Sequence, residues 1–146
     1  AWQSIPFTDV RTGKAIALSE YTGKFIIVEI TADWCAVCQE QQRRLIEALK
    51  QLDAETTNLL ILHIDPSDDV EAIKLTSVQL PSNIIIAMSN SNLDNGLIQQ
   101  FDKLVNNPPN LPMFFIKSDG SVSKLYTGEY ASTDIVGLVR GQSALH

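Results

Sequence analysis

An α/β fold around a mixed β-sheet is what this sequence predicts, and three observations carry the prediction. Apolar runs at Phe25–Ile30, Leu59–Ile64 and Ile84–Met88 alternate with segments of helical periodicity. Each run is short and nearly free of charge, as strands covered on both faces are. The chain then ends on a hairpin pattern and a last helix, which adds antiparallel pairing to an otherwise parallel sheet.

The elements follow in order. Residues 1–23 read as an N-terminal arm, in which Ile5-Pro6-Phe7-Thr8 and Ala15-Ile16-Ala17-Leu18 flank a hairpin turn at Thr12-Gly13-Lys14. Tyr21-Thr22-Gly23-Lys24 turns into strand 25–31, which is apolar except for Glu29. A helix over 36–53 carries Val37, Leu45, Ile46, Leu49 and Leu52 on one stripe. The strand at 59–64 stops at Asp65-Pro66, and Ser67 or Asp68 suits the cap of a short helix reaching Ser77. Pro81-Ser82 breaks the chain before strand 84–88, and Leu93–Val105 reads as a third helix. Asn106-Asn107-Pro108-Pro109-Asn110 has to be loop. Met113–Ile116 and Val122–Tyr126, joined through Ser118-Asp119-Gly120, read as a hairpin, and Thr133–Arg140 as the closing helix.

Composition narrows the function classes. The 146 residues are expected to form one domain over 1–146, and 45% apolar with 19% charged content is that of a globular protein. A formal net charge of −6 argues against nucleic acid or an anionic membrane as a main partner. No apolar run approaches the ~18–20 residues of a membrane span. The chain opens at Ala1 rather than Met, so it is expected to be a mature or trimmed product whose targeting segment could have been lost.

The only two cysteines are Cys35 and Cys38, in Cys35-Ala36-Val37-Cys38. A bridge across one helical turn closes too short a loop to stabilise the fold much. Its geometry is nonetheless feasible, because residues i and i+3 at a helix start lie within the ~4.4–6.8 Å Cα separation that a disulfide needs. The pair therefore suits chemistry better than support. Cys35 falls where free backbone N–H groups and the positive end of the helix dipole favour a thiolate, and Cys38 lies one turn in, more buried. Cys35 is the expected nucleophile and Cys38 the resolving thiol. Lowering a thiol pKa from about 8.5 to about 7 raises its ionised fraction at pH 7 from roughly 3% to a half, at about 2 kcal/mol. A helix terminus usually supplies only about 0.3–1 kcal/mol, so a hydrogen bond from the Cys38 thiol is expected to add the rest. Two alternatives stand beside this reading: half a zinc site, for which only His63 and His146 are available as histidines, and an inert buried pair.

The run Ala32-Asp33-Trp34-Cys35-Ala36-Val37-Cys38 after a strand resembles the active-site segment of the thioredoxin superfamily, and Leu111-Pro112-Met113-Phe114-Phe115-Ile116 resembles that family's cis-proline strand. Gly120 and Gly128 fall at the family's two later glycines. The chain between Cys35 and Pro112 is longer than in a minimal thioredoxin, leaving room for an inserted strand–helix unit at about 83–105. With the arm, this resembles the TlpA-like branch of thiol–disulfide oxidoreductases.

That resemblance implies a thioredoxin-like fold, a periplasmic or otherwise extracytoplasmic location with a possible membrane tether outside the chain, and reductase work such as cytochrome c maturation. It implies protein disulfide or dithiol substrates and a membrane or soluble thiol electron donor. A monomer is expected, with no cofactor beyond the Cys35–Cys38 disulfide and no metal. Pro112 would be the cis-proline facing the cysteines, and Leu111 would offer backbone groups to an extended peptide; the alternative is an ordinary trans proline. Glu29 would be the buried acid that takes the Cys38 proton through a water, its pKa raised by desolvation; the alternative is a carboxylate reaching solvent at a strand edge. The family's lysine partner for this acid falls near Ile61. Trp34 would shield the thiols, or simply pack in the core.

The expected activity is thus thiol–disulfide exchange as a reductase or disulfide carrier. A thiol peroxidase of the same fold is a competitor, but its Thr or Ser and its Pro would fall at Ala32 and Val28. A copper-binding metallochaperone is another, though relatives of that kind use a wider Cys-x-x-x-Cys with a histidine.

Overall fold

The computed structural model describes residues 1–143. In chain order its elements are β1 (Phe7–Asp9), β2 (Ala15–Ile16), β3 (Phe25–Thr31), α1 (Ala36–Leu49), β4 (Thr57–His63), α2 (Val70–Ser77), β5 (Ile84–Met88), α3 (Ser91–Phe101), β6 (Met113–Ile116) and α4 (Ser132–Ser143). The three apolar runs became β3, β4 and β5, paired in parallel, with β6 antiparallel on β3 and β1 antiparallel on β5. The six-stranded order is β2-β1-β5-β4-β3-β6, a mixed sheet as expected.

Side chains alternate across a strand, so the sheet carries a core on each face. Ile27, Leu59, Ile61, Ile84, Ile86, Met113 and Phe115 meet Leu45 and Leu49 of α1 and Ile135 and Val139 of α4. On the other face Ile26, Val28, Leu60, Leu62 and Phe114 meet Leu93 and Leu97 of α3, together with Phe7 and Leu18 from the arm. Trp2 lies against Phe114 and Phe101 and donates its indole N–H to Gln100. Its approach requires Gly96, because a Cβ there would stand 2.5 Å from the Trp2 Cβ.

Several boundaries differ from the sequence reading. α1 ends at Leu49 rather than 53. Gln51 and Leu52 donate to Ala48 and Leu49 in tightened turns, so the apolar stripe continues to Leu52 although the helix has ended. α2 is capped by Asp69, whose side chain accepts the Ala72 N–H, and not by Ser67 or Asp68. The third helix stops at Phe101: Asp102 takes φ 125° and caps a separate 3-10 turn holding Leu104 and Val105. The expected strand Val122–Tyr126 is reduced to two bridges, Ile116 with Val122 and Met113 with Tyr126. Between them the register shifts by one residue, and the Ser123 hydroxyl accepts the Phe115 N–H that a ladder carbonyl would otherwise take. α4 begins at Ser132 and is described to Ser143; His146 lies outside the described residues.

Candidate active site

β3 ends at Thr31, and the chain turns through Ala32-Asp33-Trp34 with the Cys35 N–H donating to the Ala32 carbonyl. Asp33 locks this turn. Its N–H donates to the Asp68 carboxylate (3.1 Å), its carboxylate accepts the Asp69 N–H (3.0 Å), and its carbonyl accepts the Gln39 side-chain amide (3.0 Å). Cys35 is then the N-cap of α1, where serine or aspartate oxygen usually sits, and its Sγ accepts the Cys38 N–H at 3.2 Å. The two cysteines are joined as a disulfide with a Cα separation of 5.2 Å. Both are buried, Cys35 at 3% and Cys38 at 0% exposure, so Cys35 is the less completely sealed residue of the pair.

Facing the pair is the segment before β6. Cys35, Cys38 and Leu111 form one buried apolar group. A 3-10 turn at Pro108–Asn110 lies beside α1, and the Pro108 carbonyl stands 3.2 Å from Cys38 Sγ. Leu111 is in the left-handed region at φ 55°, ψ 55°, a conformation that costs a residue with a Cβ about 1–2 kcal/mol. The fold holds it there by donating its N–H to Pro108 (2.8 Å), by the Gly128 N–H on the Asn110 carbonyl (2.9 Å) and by the Ile30 N–H on the Pro112 carbonyl (3.2 Å).

One expectation about this segment is corrected. No peptide bond among the described residues is cis, so Pro112 enters β6 through a trans bond. The 3-10 turn and the left-handed Leu111 together make the reversal that delivers Pro112 to the sheet. The Leu111 N–H is taken by the Pro108 carbonyl, so the backbone group Leu111 has to offer a peptide is its carbonyl.

Glu29 is buried at 3% exposure and pairs in register with Ile61 on β4 and Met113 on β6, on the face covered by α1 and α4. The strand-edge alternative is thereby excluded. Neither carboxylate oxygen has a hydrogen-bond partner in the protein, and the register neighbour Ile61 supplies no counter-charge. Desolvation holds its pKa well above the ordinary 4.5.

Trp34 is not in the core: it is 60% exposed, next to Cys35 in sequence, and donates its indole N–H to Asp65 at 2.8 Å. Asp65 is held below the usual carboxylate range by the Ser67 hydroxyl, then the Ser67 N–H, then Trp34. His63 is a satisfied strand histidine, its Nδ1 2.8 Å from the buried Asp68 carboxylate. Asp33, His63 and Asp68 bring three possible ligand atoms within 4.8 Å of one another. They line or adjoin a cavity of about 370 Å³ with Thr31, Gln39 and Gln42 at its wall. The internal bonds of the trio already account for its arrangement.

Pro108, Asp33, Asp65 and Asp68 carry no site role in the sequence reading, which places Asp65 at a strand end and Asp68 at a helix cap. The acidic run around Asp65-Pro66 after a strand was a signal for the last two; a backbone carbonyl such as that of Pro108 leaves none.

Residues 4–124 match the AhpC/TSA family. The chain belongs to that family. No curated protein sequence matches it. Among solved structures it is similar to a thioredoxin-family thiol:disulfide interchange protein from Chlorobium tepidum, with TM-score 0.76, 18% identity and 94% and 91% of the two chains covered. It is similar to BsSco, a member of the Sco family of cytochrome c oxidase assembly proteins, with TM-score 0.73, 21% identity and 97% and 92% covered. It is also similar to a secreted Mycobacterium tuberculosis disulfide oxidoreductase homologous to E. coli DsbE, with TM-score 0.69, 15% identity and 96% and 97% covered. The fold is thioredoxin-like, and the chain is a thiol–disulfide oxidoreductase of that fold with Cys35 and Cys38 at disulfide distance.

Proposed function

We propose that this AhpC/TSA-family chain is an extracytoplasmic reductase or disulfide carrier that exchanges electrons with protein disulfides. The observation that carries the reading is the N-cap position of Cys35, with the Cys38 N–H on its sulfur and Cys38 sealed behind it. A thiolate formed at Cys35 is stabilised by that N–H and by the helix terminus. It attacks a substrate disulfide, and Cys38 resolves the mixed disulfide after giving its proton to Glu29. Trp34 and Val37, 60% and 45% exposed, offer apolar surface on either side of Cys35 in sequence for a docking polypeptide.

The location rests on the secreted M. tuberculosis relative and on the TlpA-like pattern. Among the described residues no helix is long and apolar enough to cross a membrane. A membrane or soluble thiol protein serves as electron donor, and the working unit is a monomer.

The deciding experiment is the reduction potential of the pair, joined to trapping by Cys38→Ser. A value near −270 mV with recovery of mixed disulfides to a partner supports a reductase, whereas a value near −120 mV marks an oxidant and overturns it. Rapid peroxide consumption by Cys35 would indicate a peroxidase. Tight stoichiometric copper binding that needs both cysteines would indicate a function of the kind the BsSco relative's family name suggests.

A further inference from the structure

The Pro108 carbonyl is the only protein oxygen that the described structure brings within hydrogen-bond distance of a cysteine sulfur, and it is placed on the sulfur that has to wait. Cys38 Sγ is fully buried and 3.2 Å from this oxygen. In the disulfide the sulfur has no proton to donate, so the contact gives the oxidised state little. In the dithiol it has one. The carbonyl has two acceptor positions; the Leu111 N–H takes one at 2.8 Å, leaving the other for a thiol.

We propose that the Pro108 carbonyl is a catalytic backbone group of the redox cycle, accepting the Cys38 S–H in the dithiol state and so assigning the remaining proton to Cys38 and the thiolate to Cys35. The inference rests on the pair being redox-active but on no particular partner. The steps balance as follows. A donor dithiol, as thiolate, attacks Cys35 Sγ; the Cys35–Cys38 bond breaks and its electron pair leaves on Cys38 Sγ. That sulfur takes one proton and bonds to the Pro108 oxygen. The donor's second thiol loses its proton and attacks the mixed disulfide, the donor is oxidised to a disulfide, and Cys35 is released as thiolate. In the reverse sense, Cys38 has to give up this hydrogen bond before it resolves a substrate, so the carbonyl holds the mixed disulfide open for exchange.

The local sequence permits an unusually clean test. Residue 109 is proline and has no N–H. Replacing it with an α-hydroxy acid converts the 108–109 amide to an ester, which weakens the 108 carbonyl as an acceptor without deleting a donor; Pro109→Ala controls for loss of the ring. Both proteins are equilibrated with dithiothreitol, with no partner protein present. The ester is expected to shift the equilibrium toward the disulfide by about three- to tenfold relative to Pro109→Ala, or about 15–30 mV more reducing. An equal equilibrium in the two overturns the assignment. Where the ester protein does not fold, the S–H infrared band of Cys38 in Cys35→Ser serves instead. A band lowered from that of a free thiol supports the bond, and an unshifted band removes it. A chain that proves to be an oxidant, or that traps no partner, would overturn the reductase reading while leaving this result intact.

Discussion

Replacing Glu29 with glutamine gives a stability difference whose pH dependence can be worked from the structure. Glu29 is buried without a hydrogen-bond partner, and desolvation raises its pKa well above 4.5. Below about pH 4.5 the carboxyl is protonated in both folded and unfolded chains, and the native and glutamine proteins differ only by a constant offset. As pH rises past 4.5, the unfolded carboxyl ionises while the folded one keeps its proton. The native state then binds more protons than the unfolded state, so stability falls with pH. The slope is about 1.4 kcal/mol per pH unit, and it continues until the folded pKa is reached, where the loss levels off. Glutamine cannot ionise and has no such term. Urea unfolding of both proteins at half-unit steps from pH 4.5 to 8 isolates it, because every other titrating group is common to the pair. The expected result is a glutamine variant that gains on the native protein as pH rises above 4.5, by about 1.4 kcal/mol per pH unit until the folded Glu29 pKa is reached and level beyond it. Parallel curves would refute a raised Glu29 pKa and, with it, the argument that this carboxyl is poised to accept a proton near neutral pH. The rate of mixed-disulfide resolution should lose its dependence on the same ionisation in the variant.

Other outcomes follow from packing. Leu111→Gly and Leu111→Ala both remove the side chain covering the cysteines, but only glycine is at ease at φ 55°; the glycine variant should be the more stable by about 0.5–1 kcal/mol in urea, and the reverse order would exclude a left-handed Leu111. His63→Leu leaves the buried Asp68 carboxylate without its ring partner and should cost about 2–3 kcal/mol, part of it recovered in the His63→Leu/Asp68→Leu double variant; full additivity of the two changes would show that they do not interact. Gly96→Ala should not show the roughly 1 kcal/mol gain of an ordinary helical site, because its Cβ would collide with Trp2. A fall in stability with altered Trp2 fluorescence is expected, and a gain would refute the close approach.

What was legible in the sequence follows the physics of each element. Strands β3, β4 and β5 were readable because a parallel strand covered on both faces has to be continuously apolar, and Glu29 stood out for the same reason. The N-terminal placement of Cys35 was readable because strand, turn and helix follow directly in the chain. Boundaries failed where side chains substitute for backbone: Ser123 intercepts a ladder bond, Asp102 reverses the chain at φ 125° without glycine, and Leu52 packs after its helix has ended. Periodicity reports which residues face the core, and these three devices change the backbone without changing that.

The segment facing the cysteines shows the deeper limit. Leu111-Pro112 resembles a familiar sequence, yet its conformation is decided by bonds from distant places: Ile30 on β3, Gly128 after β6 and the Pro108 turn. Those bonds place a strained leucine and a backbone carbonyl against the pair, while Cys35 caps the helix terminus. The two sulfurs are chemically identical in sequence. One receives an N–H, which favours negative charge, and the other meets a C=O, which favours a proton. The difference between attacking and resolving cysteine is therefore a property of the two backbones that meet at the disulfide.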